Sequence, residues 1–340
     1  MPASDPIAPR DDIGTTPGDD MGPATIGFLL IPGFALLPYA CAVEPLRATN
    51  VLSGRALYAW RHFSPDGAAA AASNGVVIAA EPLPADATPR LDMLFVCAGG
   101  NPAAFENVTI FARLRRLARL GVTLGGISGG AYILARAGLL GNRRFTLHWE
   151  HAAAFAEEFP ALDLRRSLFE IDRDRLTCSG GTAALDMMHA LIARAHGPAI
   201  AATVSDWFLQ TEIRAGATPQ RLSLRERLGV HSGPLLRALA AMEAQVEHPH
   251  GRTELAAAAG VTPRQLERLF QRELGRTPGA HYLLLRLERA RQLARQTELP
   301  LAEIAAACGF ASLSHFSRSY RARFGVPPAA ERFRRRQAVR

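Results

Sequence analysis

Two groups of residues in this sequence have types and spacings suited to chemistry. In the first, the apolar run 121–127 (Gly-Val-Thr-Leu-Gly-Gly-Ile) leads into Ser128-Gly129-Gly130-Ala131, and Tyr132 to Ala137 has helical composition. A strand, a turn of small residues and a helix present one side chain on a sharp bend, where glycines relieve the crowding. Ser128 is that side chain. A serine needs a strong general base, unlike a cysteine, which is partly thiolate near neutral pH. The bend has a second use: amides at a helix start, here Gly129 together with Gly99-Gly100 after an earlier apolar run, attract a carboxylate.

The second group lies in the last third of the chain. Residues 254–270 and 303–320 repeat one design: an Ala-rich helix, a Gly, an apolar residue, a Thr or Ser, then a second helix. Gly260 and Gly309 stand just past a helix end, where left-handed backbone is needed. Val261 and Phe310 fill the space between the helices. Thr262 and Ser312 N-cap the second helix, and Pro263 suits its first turn. This is the helix-turn-helix plan, whose second helix enters the major groove. Candidate DNA contacts are Arg264, Gln265 and Arg268 on one such helix, and Ser312, Ser314, His315, Ser317 and Arg318 on the other. Arginine pairs with guanine edges, and serine or histidine reaches bases or phosphates. Arg276, Arg321, Arg323 and Arg334 suit phosphates or simple solubility.

The elements that hold these groups fall into four stretches. Residues 1–22 are rich in Pro, Asp, Gly and Thr and read as a disordered tail. Residues 23–213 alternate strands and helices. Apolar strands at 25–31, 91–97 and 121–127, joined by helices such as 104–120, indicate an α/β domain: a mostly parallel, flavodoxin-like sheet between two helical layers. Residues 214–234 carry Gly, Pro, Ser and Arg with little periodicity and read as a linker. Residues 235–336 are all-α, with one long helix, 278–296, joining the two helix-turn-helix units.

Charge divides the same way. From Ile213 onward there are 22 Arg against 10 Glu, a net of +12, while the remainder is −4 within a total of +8. A basic half beside an acidic half implies a polyanion partner for the former. The four cysteines, Cys41, Cys97, Cys178 and Cys308, form no CxxC pair, so no metal or other cofactor is expected. No apolar run is long enough for a bilayer, and the acidic, Pro-rich start lacks a signal-peptide pattern, so a cytoplasmic protein is expected.

Residues 235–333 resemble the DNA-binding domain of the AraC/XylS family. The resemblance rests on Ile304-Ala305, Cys308-Gly309-Phe310, Ser314-His315-Phe316, Arg318, Phe324-Gly325 and Pro327-Pro328, with Leu287 to Leu293 similar to the family's linking helix. Residues 24–213 resemble the PfpI-type domain of the class I glutamine-amidotransferase-like superfamily, through 34–50, Cys97 to Gly100, Gly129 to Leu140, Thr146 to Trp149 and Thr177 to Met188. Together they resemble the GlxA-type arrangement.

The enzymes of that superfamily place a cysteine where Ser128 stands, with a histidine at His148. Pro38 replaces a commonly acidic residue, and neither Glu44 nor Glu150 matches a catalytic position. The first domain is therefore expected to be a sensor and not an enzyme. Its ligand site would combine the amides of Ser128, Gly129, Gly99 and Gly100 with the rings of Phe34, Tyr39, His148 and Trp149, and with Glu44 or Glu150 facing a cation. The resemblance implies an amino acid or quaternary amine as effector, a homodimer, and promoter DNA and RNA polymerase as partners. The rival is an amidohydrolase-like enzyme using Ser128 and His148.

Overall fold

The computed structural model describes residues 22–86, 90–297 and 299–331. All of the expected tail but Gly22 lies outside them, as do Arg334 and the rest of the basic end. The chain divides into two compact units at Gln220 and Arg221.

In the first unit the elements run β1 (Ala24–Leu30), α1 (Leu36–Ser53), β2 (Tyr58–Ser64), β3 (Ala70–Ala71), β4 (Val77–Ile78), β5 (Glu81–Pro82) and β6 (Met93–Ala98). They continue α2 (Val108–Arg119), β7 (Thr123–Ser128), α3 (Gly130–Arg136), β8 (Phe145–Thr146), α4 (Ala152–Glu158), β9 (Leu164–Arg165), β10 (Phe169–Asp172), β11 (Arg175–Cys178), α5 (Ala183–His196) and α6 (Pro198–Trp207). Seven strands form one sheet in the order β10-β11-β7-β6-β1-β2-β5. Every pairing is parallel except β10 with β11 at the edge, so the sheet is mixed, in keeping with the α/β expectation.

Period-2 alternation builds a core on each face. Leu29, Leu94 and Val96 pack with Ile110, Leu114 and Leu117 of α2. Phe28, Leu30, Phe95 and Cys97 face the other way, against Ala42 and Leu46 of α1 and Met187 and Met188 of α5. Strands buried on both faces explain the continuous apolar runs.

The stretch expected to be a linker is divided between the units. Leu168 N–H donates to Gly216 O at 2.8 Å, and Arg214 bonds Asp186, so 214–220 belongs to the first unit. Beyond it, α7 (Leu224–Leu228) has a capping box at Ser223, and Val230 is buried in the second unit's core. Glycine and proline there mark turns within folded structure.

The second unit continues with α8 (Gly233–Ala244), α9 (Arg252–Ala259), α10 (Pro263–Leu274), α11 (Pro278–Gln296), α12 (Leu301–Ala307) and α13 (Leu313–Phe324). Leu235, Leu239, Leu255, Leu266, Phe270 and Tyr282 form the core around α9 and α10. Further along α11, Leu287, Ala290, Leu293 and Ala294 are buried, as are Ile304, Phe310, Phe316 and Tyr320, where α11 packs against α12 and α13. One rigid helix thus joins two small cores, neither of which its short helices could sustain alone.

Candidate ligand cleft and nucleic-acid interface

The bend after β7 has the geometry of a nucleophile elbow. Ser128 sits at φ 59°, left-handed backbone that costs a non-glycine residue about 1–2 kcal/mol. Its neighbours hold it there. Gly129 N–H donates to Ala98 O at 3.0 Å, and the crossing of α3 over β6 is so close that a Cβ on Gly130 would lie 1.8 Å from Val96 O. A Cβ on Gly126 would lie 2.5 Å from the Ala131 nitrogen. The glycines flanking Ser128 are therefore fixed by packing.

The chemistry of an elbow enzyme is not assembled around it. His148 N–H donates to Ser128 O at 3.4 Å, so the two residues are neighbours through the backbone. The imidazole is turned elsewhere: Nδ1 accepts from Glu150 N–H at 3.4 Å and lies 3.9 Å from the Glu150 carboxylate. Burial lowers the His148 pKa, against the opposing pull of Glu150, and keeps the ring neutral at pH 7. Among the described residues the Ser128 hydroxyl makes no hydrogen bond to His148. Cys178, at the end of the adjacent β11, is fully buried, and burial pushes its thiol up to about 12, so it is no substitute nucleophile.

Beside the elbow lies an open cleft of ≈ 180 Å³. His148, Trp149 and Leu168 form one side; the turn Ser179-Gly180-Gly181-Thr182 with Ala183 forms another; Arg214 and Gln220 close it. Gly180 separates Ser128 from this space, and a Cβ there would meet Ser128 Cβ at 2.8 Å. The structure thus brings His148 and Trp149 to the cleft and places Ser128 immediately behind it.

Other expected ligand residues are elsewhere. Phe34 is 0% exposed, packed edge-on to Tyr39 in the core between the sheet and α1, and cannot form a ligand wall. Tyr39 is buried with it and bonds His62. Glu44 pairs with Arg47 on α1 at 2.6 Å. Gly99, Gly100 and Gly129 do not line the cleft; a Cβ on Gly99 would press on Gly33 O at 3.0 Å, which accounts for that glycine by packing.

Sequence reasoning missed Ser179, Thr182, Arg214 and Gln220. The small-residue turn 178–182 between a strand and a helix carried a signal, since it repeats the pattern around Ser128. Arg214 and Gln220 carried none, because their partners are distant in sequence. Gln220 Nε2 donates to Thr146 Oγ1, Leu147 O and Ser167 O at 2.9–3.0 Å.

In the second unit the expected turn chemistry is in place. Gly260 and Gly309 adopt φ 68° and 71°. Thr262 Oγ1 accepts from Gln265 N–H, and Ser312 Oγ accepts from His315 N–H at 3.2 Å. Phe310 is buried, whereas Val261 is half-buried against the first core. Arg264, Arg268, Ser314, His315 and Arg318 are exposed on α10 and α13, and Ser317 is half-buried. Gln265 and Ser312, expected as groove contacts, use oxygen atoms in the caps: Gln265 Oε1 accepts from Thr262 N–H at 2.9 Å.

Among the described residues no group of three or more His, Cys, Asp or Glu could hold a metal ion, and no helix is long and apolar enough to cross a membrane. Residues 255–336 match the helix-turn-helix domain family. Over 310 residues the chain is 46% identical to the HTH-type transcriptional regulator GlxA of Rhizobium meliloti (strain 1021), covering 91% of this chain and 95% of that one. It is 47% identical over 309 residues to the HTH-type transcriptional regulator CdhR of Pseudomonas aeruginosa, covering 90% of each. Among solved structures, an AraC family transcriptional regulator from Pseudomonas putida is 28% identical with a TM-score of 0.50, covering 55% of this chain and 100% of that one. These relatives are transcriptional regulators by name, in agreement with the expectation that the chain is a regulator. The chain belongs to the AraC/XylS family of DNA-binding transcriptional regulators, in the GlxA-type arrangement of an α/β domain ahead of two helix-turn-helix units.

Proposed function

We propose that the chain is a ligand-responsive, sequence-specific transcriptional activator. A small amino-acid or quaternary-amine metabolite occupies the cleft of the first unit and changes how the second unit binds promoter DNA. One observation carries this reading: two cleft residues, Arg214 and Gln220, belong to the stretch that runs directly into the DNA-binding unit. Trp149 and the neutral His148 ring add faces suited to an ammonium group. Occupancy shifts DNA binding only if the ligand has different affinities for the two states. The chain works as a homodimer in the cytoplasm, on repeated two-part half-sites, and acts with RNA polymerase.

The test is a thermal-shift screen of the full chain against amino acids, betaines and related amines, with mass spectrometry on each mixture and a DNA titration with every compound that binds. The expected effector raises the melting temperature, is recovered unchanged and alters DNA affinity at saturation. Identical DNA affinity and unchanged transcription at saturating ligand overturn the sensor. A compound consumed by the protein, with turnover lost in Ser128→Ala, would make the first unit an enzyme.

A further inference from the structure

The expected seat for an effector's anionic group was the elbow, but the cleft has a better one. Arg214 is held rigidly. Asp186, buried behind it with a side chain 0% exposed, accepts from Arg214 Nε at 3.0 Å, Nη2 at 2.5 Å and the backbone N–H at 2.9 Å. Gln210 Nε2 adds a fourth bond to the same carboxylate at 2.9 Å. Arg214 Nη2 also donates to Thr182 Oγ1 at 2.8 Å. This leaves Nη1, with two N–H groups, making no hydrogen bond among the described residues. A guanidinium fixed by a buried carboxylate and still holding free donors is pre-organised for another acceptor.

Ser179 is the independent second sign. It is 4% exposed, lines the cleft, and its hydroxyl makes no hydrogen bond among the described residues. The residue is buried but its oxygen is not sealed from solvent, so the hydroxyl is an open donor at the cleft. Between Ser179 and Arg214 stands the start of α5, a 14-residue helix whose N-cap Thr182 makes no side-chain cap bond. The amides of Gly181 and Thr182 have no acceptor among the described residues, and both residues line the cleft. The open groups on this side of the cleft can all donate, while Gln220 Oε1 is an unpartnered acceptor among the described residues lining it.

We propose that the cleft recognises the carboxylate of its ligand, received by Arg214 Nη1, Ser179 Oγ and the Gly181 and Thr182 amides. The inference rests on the sensor reading and deepens it to an acid-specific one. It also names the element that responds. Arg214 begins the 214–220 strap and Gln220 ends it, so a carboxylate on Arg214 tightens the segment that leads into the DNA-binding unit.

The test uses the full chain and matched pairs: L-arginine with agmatine, L-glutamate with propylamine, which lacks both of its carboxylates, glycine betaine with tetramethylammonium, and the other monocarboxylic amino acids with their decarboxylated amines. Calorimetry gives affinity, and hydrogen exchange gives protection of 214–220. The expected result is an acid that binds while its carboxylate-free partner does not, with protection of the strap rising only for the acid. Arg214→Gln should then weaken binding at least about tenfold, the loss of one charge-assisted hydrogen bond. Because that variant also strips Asp186 of its partner, Ser179→Ala is the companion. It breaks no bond in the unliganded protein, should melt at the wild-type temperature, and should weaken the acid by about fivefold. Equal binding of an acid and its carboxylate-free partner, or binding unchanged in both variants, overturns the carboxylate site and leaves the sensor standing. Absence of binding by every acid and every amine overturns both.

Discussion

The two helix-turn-helix units share a backbone plan and differ in what holds the turn. Their second helices, α10 and α13, are each 12 residues long, N-capped by Thr262 or Ser312 and closed by a left-handed glycine, Gly275 or Gly325. In both, an arginine from another helix satisfies carbonyls left open at the end of the first helix. Arg237 bonds Ala259 O alone, through Nε and Nη2. Arg286 bonds both Cys308 O at 2.7 Å and Gly309 O at 2.6 Å, and lies 4.2 Å above the Phe310 ring. The first turn is open and the second is clamped. A repeated motif can therefore conserve dihedral angles while dividing its stability unequally.

Replacing the turn glycines should break this comparison most sharply. At Gly260 a new Cβ would meet only the flexible tip of Arg237, at 3.3 Å. At Gly309 it would lie 2.7 Å from the Pro249 ring and 2.8 Å from Glu247 O. Gly260→Ala should cost about 1–2 kcal/mol, the left-handed penalty alone. Gly309→Ala adds overpacking against backbone and should cost about 3 kcal/mol or more. Chemical denaturation of the two variants measures the gap; equal losses would mean the second turn is not clamped. Next in size is the arginine pair. Arg286→Ala should destabilise by about 2 kcal/mol, from two carbonyl bonds and a ring contact, and Arg237→Ala by about 1 kcal/mol.

The helix-turn-helix units were legible because their signals are local. A glycine, a capping hydroxyl and a proline each act within one turn, and α11 begins and ends at the residues expected, Pro278 and Gln296. The elbow was legible for the same reason. The cleft was not, since Arg214 meets Asp186 across 28 residues and Gln220 meets Thr146 across 74. Glycine and proline between 214 and 234 gave a linker reading because composition reports turns but not what the turns pack against. Phe34 failed differently: an aromatic side chain suits a ligand wall and a core equally, and only the sheet's pleat decides which.

On DNA the comparison concerns reading and not stability. Arg268 and Arg318 are both exposed on second helices, and neither forms a salt bridge among the described residues. Each alanine variant should lose about 1–3 kcal/mol of affinity if its arginine reads a base. The losses of preference should then fall at different positions, about one helical turn apart. A binding scan over single base substitutions checks this. An affinity loss uniform across sequences would make that arginine a phosphate anchor and assign base reading to the other unit.

The smallest effect tests the caps. Thr262 takes part in a reciprocal box, because Gln265 Oε1 accepts from the Thr262 amide at 2.9 Å while Thr262 Oγ1 accepts from the Gln265 amide at 3.3 Å. Ser312 has His315 at the matching position, and the His315 ring lies instead against Phe310, 5.6 Å between centroids. Loss of a capping hydroxyl removes about 1 kcal/mol. In Thr262→Ala the Gln265 side chain still covers one open amide, so the loss should fall below that of Ser312→Ala by a few tenths of a kcal/mol. The double variant Thr262→Ala with Gln265→Ala should erase the difference. If the single variants are already equal by denaturation, the box adds nothing to the first unit, and the contrast between the units reduces to the clamp around Gly309.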